Sequence, residues 1–530
     1  MTPGAPPQAA PPRRVREPGV SLGRNAIANV AGFSVHLTIA FFLAPFVLRS
    51  LGDARYGVWS LAAELVGYYS LLDLGLRSAV SYFIAHYTAR REHDRLNASV
   101  CSAFWLLLGI GVMVGVGGSG LALLFPRLFV RGQTDPREVV VAIMITSVMV
   151  GLGLAMELFS AVLTGCRRLD LVNLTEVMHR VVLAIGMYVA LTAGGGLIAI
   201  SLVQAGGRVL TWSINYRQAQ RVSGGFSLHP SRFQWEELRA LGSIGSLNIA
   251  ITLSQAVMAR TDLIIVGAFV GLRAVAFYNI ARLLVDYAAQ VTSNLTMAFR
   301  PHLTHLHSEG DMPGMRRMYL FGSRISGLIS FPLAACMFTF GPAFISLWVG
   351  PKYVSGPVGQ RTDVILTVLL LGATLRWQQS MSYQALFATG RYGVLTSLTA
   401  VQAALTVGLS LILVRFYGAA GVAAGSMVPA LLMNGIAVPL HTLRRCTISV
   451  RQYLRDGAGR SIIVALLVFG FGQTIIRTWY PDSWGAFFAQ AAAVVLATAG
   501  LGFSLGLMAE DRRLAITRLR RIRARLLGGS

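Results

Sequence analysis

The sequence predicts an all-α polytopic membrane protein of about fourteen transmembrane helices. They form two six-helix lobes related by a parallel pseudo-two-fold repeat, with two extra C-terminal helices. Three observations predict this: apolar runs of bilayer length, arginine in alternate loops, and an internal sequence match. Composition agrees, with 54% hydrophobic residues, 13% charged residues and a mean hydropathy of +0.61. Soluble domains carry about 25% charged residues, and no polar stretch here is long enough to form one.

Runs of about 20 apolar residues cross a bilayer as helices. They fall near 25–48, 57–76, 98–124, 139–163, 172–192, 195–215, 243–270, 274–298, 319–347, 363–388, 395–416, 419–440, 459–479 and 484–508. The seventh and eighth are the most polar. The implied organisation is a basic tail disordered at 1–22, a six-helix lobe at 23–218, an inter-lobe loop at 219–241, a second lobe at 242–443, two added helices at 444–510 and a basic tail at 511–530.

The net charge is +24, almost all of it arginine; Lys352 is the only lysine. Arginines follow every even-numbered span: Arg90, Arg91 and Arg95; Arg167 and Arg168; Arg217, Arg221, Arg232 and Arg239; Arg316 and Arg317; Arg391; Arg444, Arg445, Arg451 and Arg455; and the C-terminal group from Arg512 to Arg525. Arg127, Arg131 and Arg137, after span three, are the exception. Positive loops face the cytoplasm, so both termini are expected there. Short basic loops between apolar runs indicate lipid headgroups as partners and not nucleic acid.

The two halves match. Leu51–Ser70 aligns with Val270–Ala289, pairing Gly52 with Gly271, Trp59 with Tyr278, Ala62 with Ala281 and Tyr68 with Tyr287. Further on, Thr164-Gly165 pairs with Thr389-Gly390 and Gly196 with Gly421. Each half has an even number of spans, so the repeat is parallel.

Polar residues inside the spans fall into stripes at helical spacing. Span eight carries Asn279, Arg282, Asp286, Gln290 and Ser293. Span two carries Ser60, Glu64, Gly67, Ser70, Asp73 and Arg77. Span one carries Asn25, Asn29, Gly32 and His36, and span seven carries Asn248, Thr252, Gln255 and Asp262. Intramembrane charge is costly and usually faces a cavity. Four stripes at repeat-related places predict one hydrophilic cavity between the lobes, against the plainer reading of hydrogen bonds within a packed bundle. Glu176 with Arg180, Asp73 with Arg77, and Arg282 with Asp286 have the spacing of self-neutralising pairs. Arg208, Arg260 and Arg376 have no partner one turn away and are candidates to meet an anionic group. Glu64, Glu157, Asp262 and Asp286 are candidates for H+ or Na+ coupling.

Several chemistries find no support. The four cysteines form no CxxC pair and have no histidine at ligand spacing. Gly115–Gly120 reads GVGGSG, but it lies inside span three with no preceding strand; Gly111 and Gly115 instead give a GxxxG packing face. No Walker lysine, HExxH or GxSxG occurs. Neither a catalytic residue nor a metal nor a cofactor is expected.

Leu48–Tyr87, LRSLGDARYGVWSLAAELVGYYSLLDLGLRSAVSYFIAHY, resembles the opening signature of the polysaccharide-transport family, which includes O-antigen and exopolysaccharide flippases. That family belongs to the multidrug/oligosaccharidyl-lipid/polysaccharide exporter superfamily. Ala385–Ser426 resembles the matching later segment. The resemblance implies a central cavity lined by helices one, two, seven and eight, and alternating access. The cargo it implies is a polyprenyl-pyrophosphate-linked glycan, carried to the outer leaflet of a bacterial cytoplasmic membrane. Arg77, Arg260 and Arg282 would meet pyrophosphate or acidic sugars, with Asn279, Gln290 and His36 completing the binding set and Glu64, Asp286 and Asp262 serving ion coupling. A polysaccharide polymerase and glycosyltransferases would be partners of the pathway. A lipid II flippase is an alternative, because fourteen spans occur in that group. A drug exporter would carry a carboxylate in span one, where this chain has His36. A membrane-embedded polymerase or ligase would need a large outer loop, and Phe125–Glu138 and Gly350–Thr362 are short.

Overall fold

The computed structural model describes residues 22–67, 76–129, 134–513 and 517, all without strands. The N-terminal half comprises α1 (Leu22–Leu51), α2 (Asp53–Gly67), α3 (Leu76–Arg90), α4 (His93–Phe129), α5 (Pro136–Met156), α6 (Leu158–Gly165), α7 (Leu169–Thr192) and α8 (Leu197–Ser223). The C-terminal half comprises α9 (Trp235–Phe269), α10 (Leu272–Met297), α11 (Arg300–Ser308), α12 (Met312–Trp348), α13 (Thr362–Gln378), α14 (Ser380–Ala388), α15 (Tyr392–Leu432) and α16 (Val438–Arg445). The short α17 (Val450–Gln452), then α18 (Gly459–Thr478) and α19 (Trp484–Leu501), follow. Of the expected features, the N-terminal tail to residue 21, Tyr68, Ser70, Asp73, Arg131 and the arginines from Arg518 onward lie outside the described residues, as do the side chains of Asn25, Asn29, His36 and Asn248.

Among the described residues, nine helical stretches are long and apolar enough to cross a membrane. The longest, Tyr392–Arg445, has 54 residues. A helix rises about 1.5 Å per residue and the hydrocarbon core is about 30 Å thick, so this stretch is long enough for two crossings. It breaks at Gly418, whose φ of 59° and ψ of −136° are non-helical. That is the junction expected between the spans at 395–416 and 419–440. Helix α10, 26 residues long, is not among them because it carries a polar stripe.

Helices α4 to α8 pack on one another, while α9 pairs with α15 and α13 packs against α10, α12 and α15. Helix α18 lies along α12, which seats the added helices on the C-terminal half. Helix α2 meets both α9 and α10 and so forms the joint between halves. A buried apolar cluster surrounds this joint, including Tyr56, Leu61, Val266 and Tyr278. The α4–α5 pair is also close-packed: a Cβ at Gly111 would run into the carbonyl oxygen of Gly151.

Left-handed backbone recurs at matching places. Gly52 (φ 76°) before α2 and Gly271 (φ 119°) before α10 are the same 219 residues apart as Arg91 (φ 59°) after α3 and Gly310 (φ 72°) after α11. Thr447 (φ 53°) follows α16, where the Ile448 amide donates to the Leu443 carbonyl at 2.9 Å. This is a helix stop that normally takes glycine.

Gly111→Ala is expected to cost about 1–3 kcal/mol through backbone overlap. Gly115→Ala, whose Cβ would lie 3.7 Å from the Val148 Cα, should be nearly neutral; thermal unfolding in detergent compares them. Thr447→Gly should raise the melting temperature, because an L-residue in the left-handed region costs about 1 kcal/mol.

Candidate functional site

The polar stripes of α2 and α10 meet each other across the joint. Glu64 stands on α2, only 12% exposed, and both of its oxygens are used: Oε1 accepts from Arg282 Nη2 at 2.7 Å and Oε2 from Arg260 Nη1 at 3.1 Å. Arg282 also reaches Asp286 one turn on, Nε to Oδ2 at 3.4 Å. Its Nη1 is buried and has no hydrogen-bond acceptor among the described residues. In this conformation Glu64 is the counter-ion of two arginines from two further helices.

Asp262 is held differently. Its carboxylate accepts from the Tyr278 hydroxyl at 2.7 Å and from the Ser426 hydroxyl at 2.8 and 2.9 Å. It therefore ties α9 to α10 and α15 through neutral donors. Asn279 donates to the Ser60 hydroxyl at 3.0 Å and to Tyr56 at 3.3 Å, buttressing α2 against α10.

The space around this cluster is divided. A cavity of about 330 Å³ in the N-terminal half is lined by Arg77, Glu157, His179, Arg208 and Trp212, and Arg260 reaches it from α9. Arg77 pairs with Glu157, whose other oxygen lies 3.8 Å from Arg208. A cavity of about 560 Å³ in the C-terminal half is lined by Gln290, Asp286, Arg376 and Gln402 among others. A smaller one of about 100 Å³ lies between it and Arg282 and Asp262. The single cavity expected from the stripes is thus replaced by flanking cavities, because opposite charges on the facing stripes bond to each other.

Of the expected binding residues, Arg77 and Arg260 meet at the N-terminal cavity, Arg282 holds the centre, Gln290 lines the C-terminal cavity, and Asn279 sits in the seam. Arg208 and Arg260, without partners one turn away, find carboxylates on other helices. Arg376 alone of those three makes no ion pair of bonding length among the described residues, and it lines both C-terminal cavities. Trp377, Tyr383 and Gln402 lie on α13 to α15 and were not among the stripe residues. Gln402 carries a signal of its own, an amide inside an apolar span.

The halves close at one end. Trp348 Nε1 donates to the Phe41 carbonyl at 2.7 Å and Arg49 to the Trp348 carbonyl at 3.3 Å. Asp53 accepts from Lys352 at 2.8 Å and from the Tyr353 hydroxyl at 2.5 Å. Burial, reinforced by the bond to Asp53, raises Tyr353 well above the usual phenol range.

A model of the polysaccharide biosynthesis protein family matches residues 46–356, more than half of the chain. The chain belongs to that family. Among its relatives is the membrane protein EpsK of Bacillus subtilis, 22% identical over 510 residues, covering 94% of this chain and 98% of that protein. A Shigella flexneri protein named as an O-antigen transporter is 22% identical over 440 residues, covering 81% of this chain and 99% of its own length. The structure of the lipid II flippase MurJ in an inward closed conformation superposes with a TM-score of 0.65 at 13% identity, covering 90% of this chain and 97% of that one. This family member therefore shares the fold of that structure.

Glu64→Gln should destabilise the protein by about 2–3 kcal/mol. Removing one partner of a buried ion pair strands the rest, although Arg260 is partly exposed. Thermal unfolding measures the loss; an unchanged midpoint would show that the two arginines need no counter-ion from α2.

Proposed function

We propose that this family member is a flippase carrying a polyprenyl-pyrophosphate-linked glycan from the cytoplasmic to the outer leaflet of the bacterial inner membrane by alternating access. The observation that carries the reading is the central cluster. Arg282 and Arg260 share one carboxylate, and Arg282 Nη1 has no acceptor among the described residues. A pyrophosphate offers several acceptor oxygens to guanidinium groups. Arriving between the halves, it competes with Glu64 for the arginines and loosens the joint that α2 makes with α9 and α10. The family and the relatives' names support a role in cell-surface polysaccharide assembly, in which a polymerase and glycosyltransferases would be neighbours.

The arginine-rich connections support cytoplasmic termini. On that orientation, the contacts among Phe41, Arg49, Asp53, Trp348, Lys352 and Tyr353 close the outer side. Glu64, Asp262 and Asp286 are the carboxylates available for H+ or Na+ coupling. An exporter of cationic drugs would gain little from a centre whose free donor is a guanidinium.

The test is a proteoliposome assay of the leaflet accessibility of a labelled polyprenyl-pyrophosphate oligosaccharide. Wild-type protein should accelerate its movement, and Arg282→Ala should slow it at least tenfold while eluting as a folded species. Efflux of a cationic dye without lipid movement would refute the flippase reading.

A further inference from the structure

The two cavities that flank the central cluster differ in chemistry. The N-terminal one presents Arg77, Arg208 and Arg260 against the single carboxylate of Glu157. The C-terminal one, about 560 Å³, presents four amides, Gln255, Gln290, Gln384 and Gln402, with one cation, Arg376, and one carboxylate, Asp286, which pairs with Arg282. Aromatic rings of Trp377, Tyr383 and Phe387 complete its wall.

Two of these groups lie in the buried wall of the cavity and make no side-chain hydrogen bond among the described residues. Gln402 is 4% exposed and makes no hydrogen bond among the described residues. Trp377 is 3% exposed, and its Nε1 has no acceptor among them. Polar side chains kept only to join helices would be bonded to a neighbouring helix. Leaving a buried polar group such as Trp377 Nε1 unpaired costs about 1–3 kcal/mol, and the Gln402 amide, lining the cavity with no bond among the described residues, is available to what enters it. Gln384 is already oriented: its Oε1 accepts from Arg300 Nε at 2.7 Å, and that guanidinium lies 4.6 Å from the centre of the Phe387 ring.

We propose that the C-terminal cavity is a carbohydrate site that takes uncharged sugar units and sets glycan specificity. The proposal rests on the flippase reading only for where the sugar comes from. An amide both donates and accepts, as a sugar hydroxyl does, and the aromatic walls cover the apolar faces of the sugar ring. Met258, Ala259, Asp286, Arg376 and Gln402 line both this cavity and the smaller one that reaches Arg282. A pyrophosphate at the central arginines would therefore have its first sugars directed into the amide-lined space.

The test uses the full chain in nanodiscs. Binding is measured for polyprenyl pyrophosphate without sugar, for the same lipid with a neutral oligosaccharide, for one with a uronate-containing oligosaccharide, and for the free neutral oligosaccharide. Gln402→Met and Trp377→Phe should each weaken the neutral glycolipid and the free oligosaccharide about tenfold or more, because a site built to pair hydroxyls depends on its polar groups. Binding of the sugarless lipid should stay within about twofold. Equal weakening of the sugarless lipid, no weakening of either sugar ligand, or tighter binding of the uronate glycolipid would overturn the proposal. Melting temperatures identify a misfolded variant, and the second variant then decides. If wild-type protein binds the free oligosaccharide through Gln402 but moves no glycolipid, the flippase reading fails and the sugar site stands. If both variants bind and move the neutral glycolipid as the wild type does, the sugar site fails and the flippase reading stands.

Discussion

One carboxylate stands at the centre of the joint between the two halves of this molecule. Glu64 on α2 takes a guanidinium from α9 with one oxygen and a guanidinium from α10 with the other. Charges in a membrane interior are costly unless paired or set in a polar cavity, so loss of Glu64 would leave Arg260 without its ion pair and Arg282 with Asp286 alone. The joint is therefore strong toward lipid and weak toward a competing oxyanion. An apolar joint of the same area would have no such selectivity. Asp262, bonded to Tyr278 and Ser426, has a different part: it fixes α9, α10 and α15 as one block through neutral donors.

Around this joint the interior is polarised. Arginine collects on the N-terminal side and amides with aromatic rings on the C-terminal side, and the central pair stands between them. Rigid pieces frame the arrangement. The glycine contact between α4 and α5 lets two backbones touch, and α12 carries α18 along its length.

Much of the fold was legible because the bilayer imposes a length on every apolar run. The expected spans all coincide with helices where they are described, and the division at 416–419 falls on the break at Gly418. Local pairs were legible too: Glu176–Arg180 and Arg282–Asp286 form at 3.4 Å each, as one-turn spacing requires. The GVGGSG run is part of a close-packing helix. What spacing could not show is tertiary. Glu64 and Arg260 are 196 positions apart, so each looked unpartnered in its own helix, and Arg77, expected to pair with Asp73, also bonds Glu157 80 positions on. The amide pocket was hidden for a related reason: its residues come from α9, α10 and α13 to α15, with no dense stripe on any one of the last three.

The clasp between Lys352 and Asp53 has a practical side. No other side chain in this sequence carries a primary amine, and this amine sits where the halves close, with its side chain 60% exposed. Reagents that modify lysine side chains would thus attach at one address, on the closure itself. A fluorophore placed there would report the parting of the halves, while a neutral acyl cap would remove the cation that Asp53 holds.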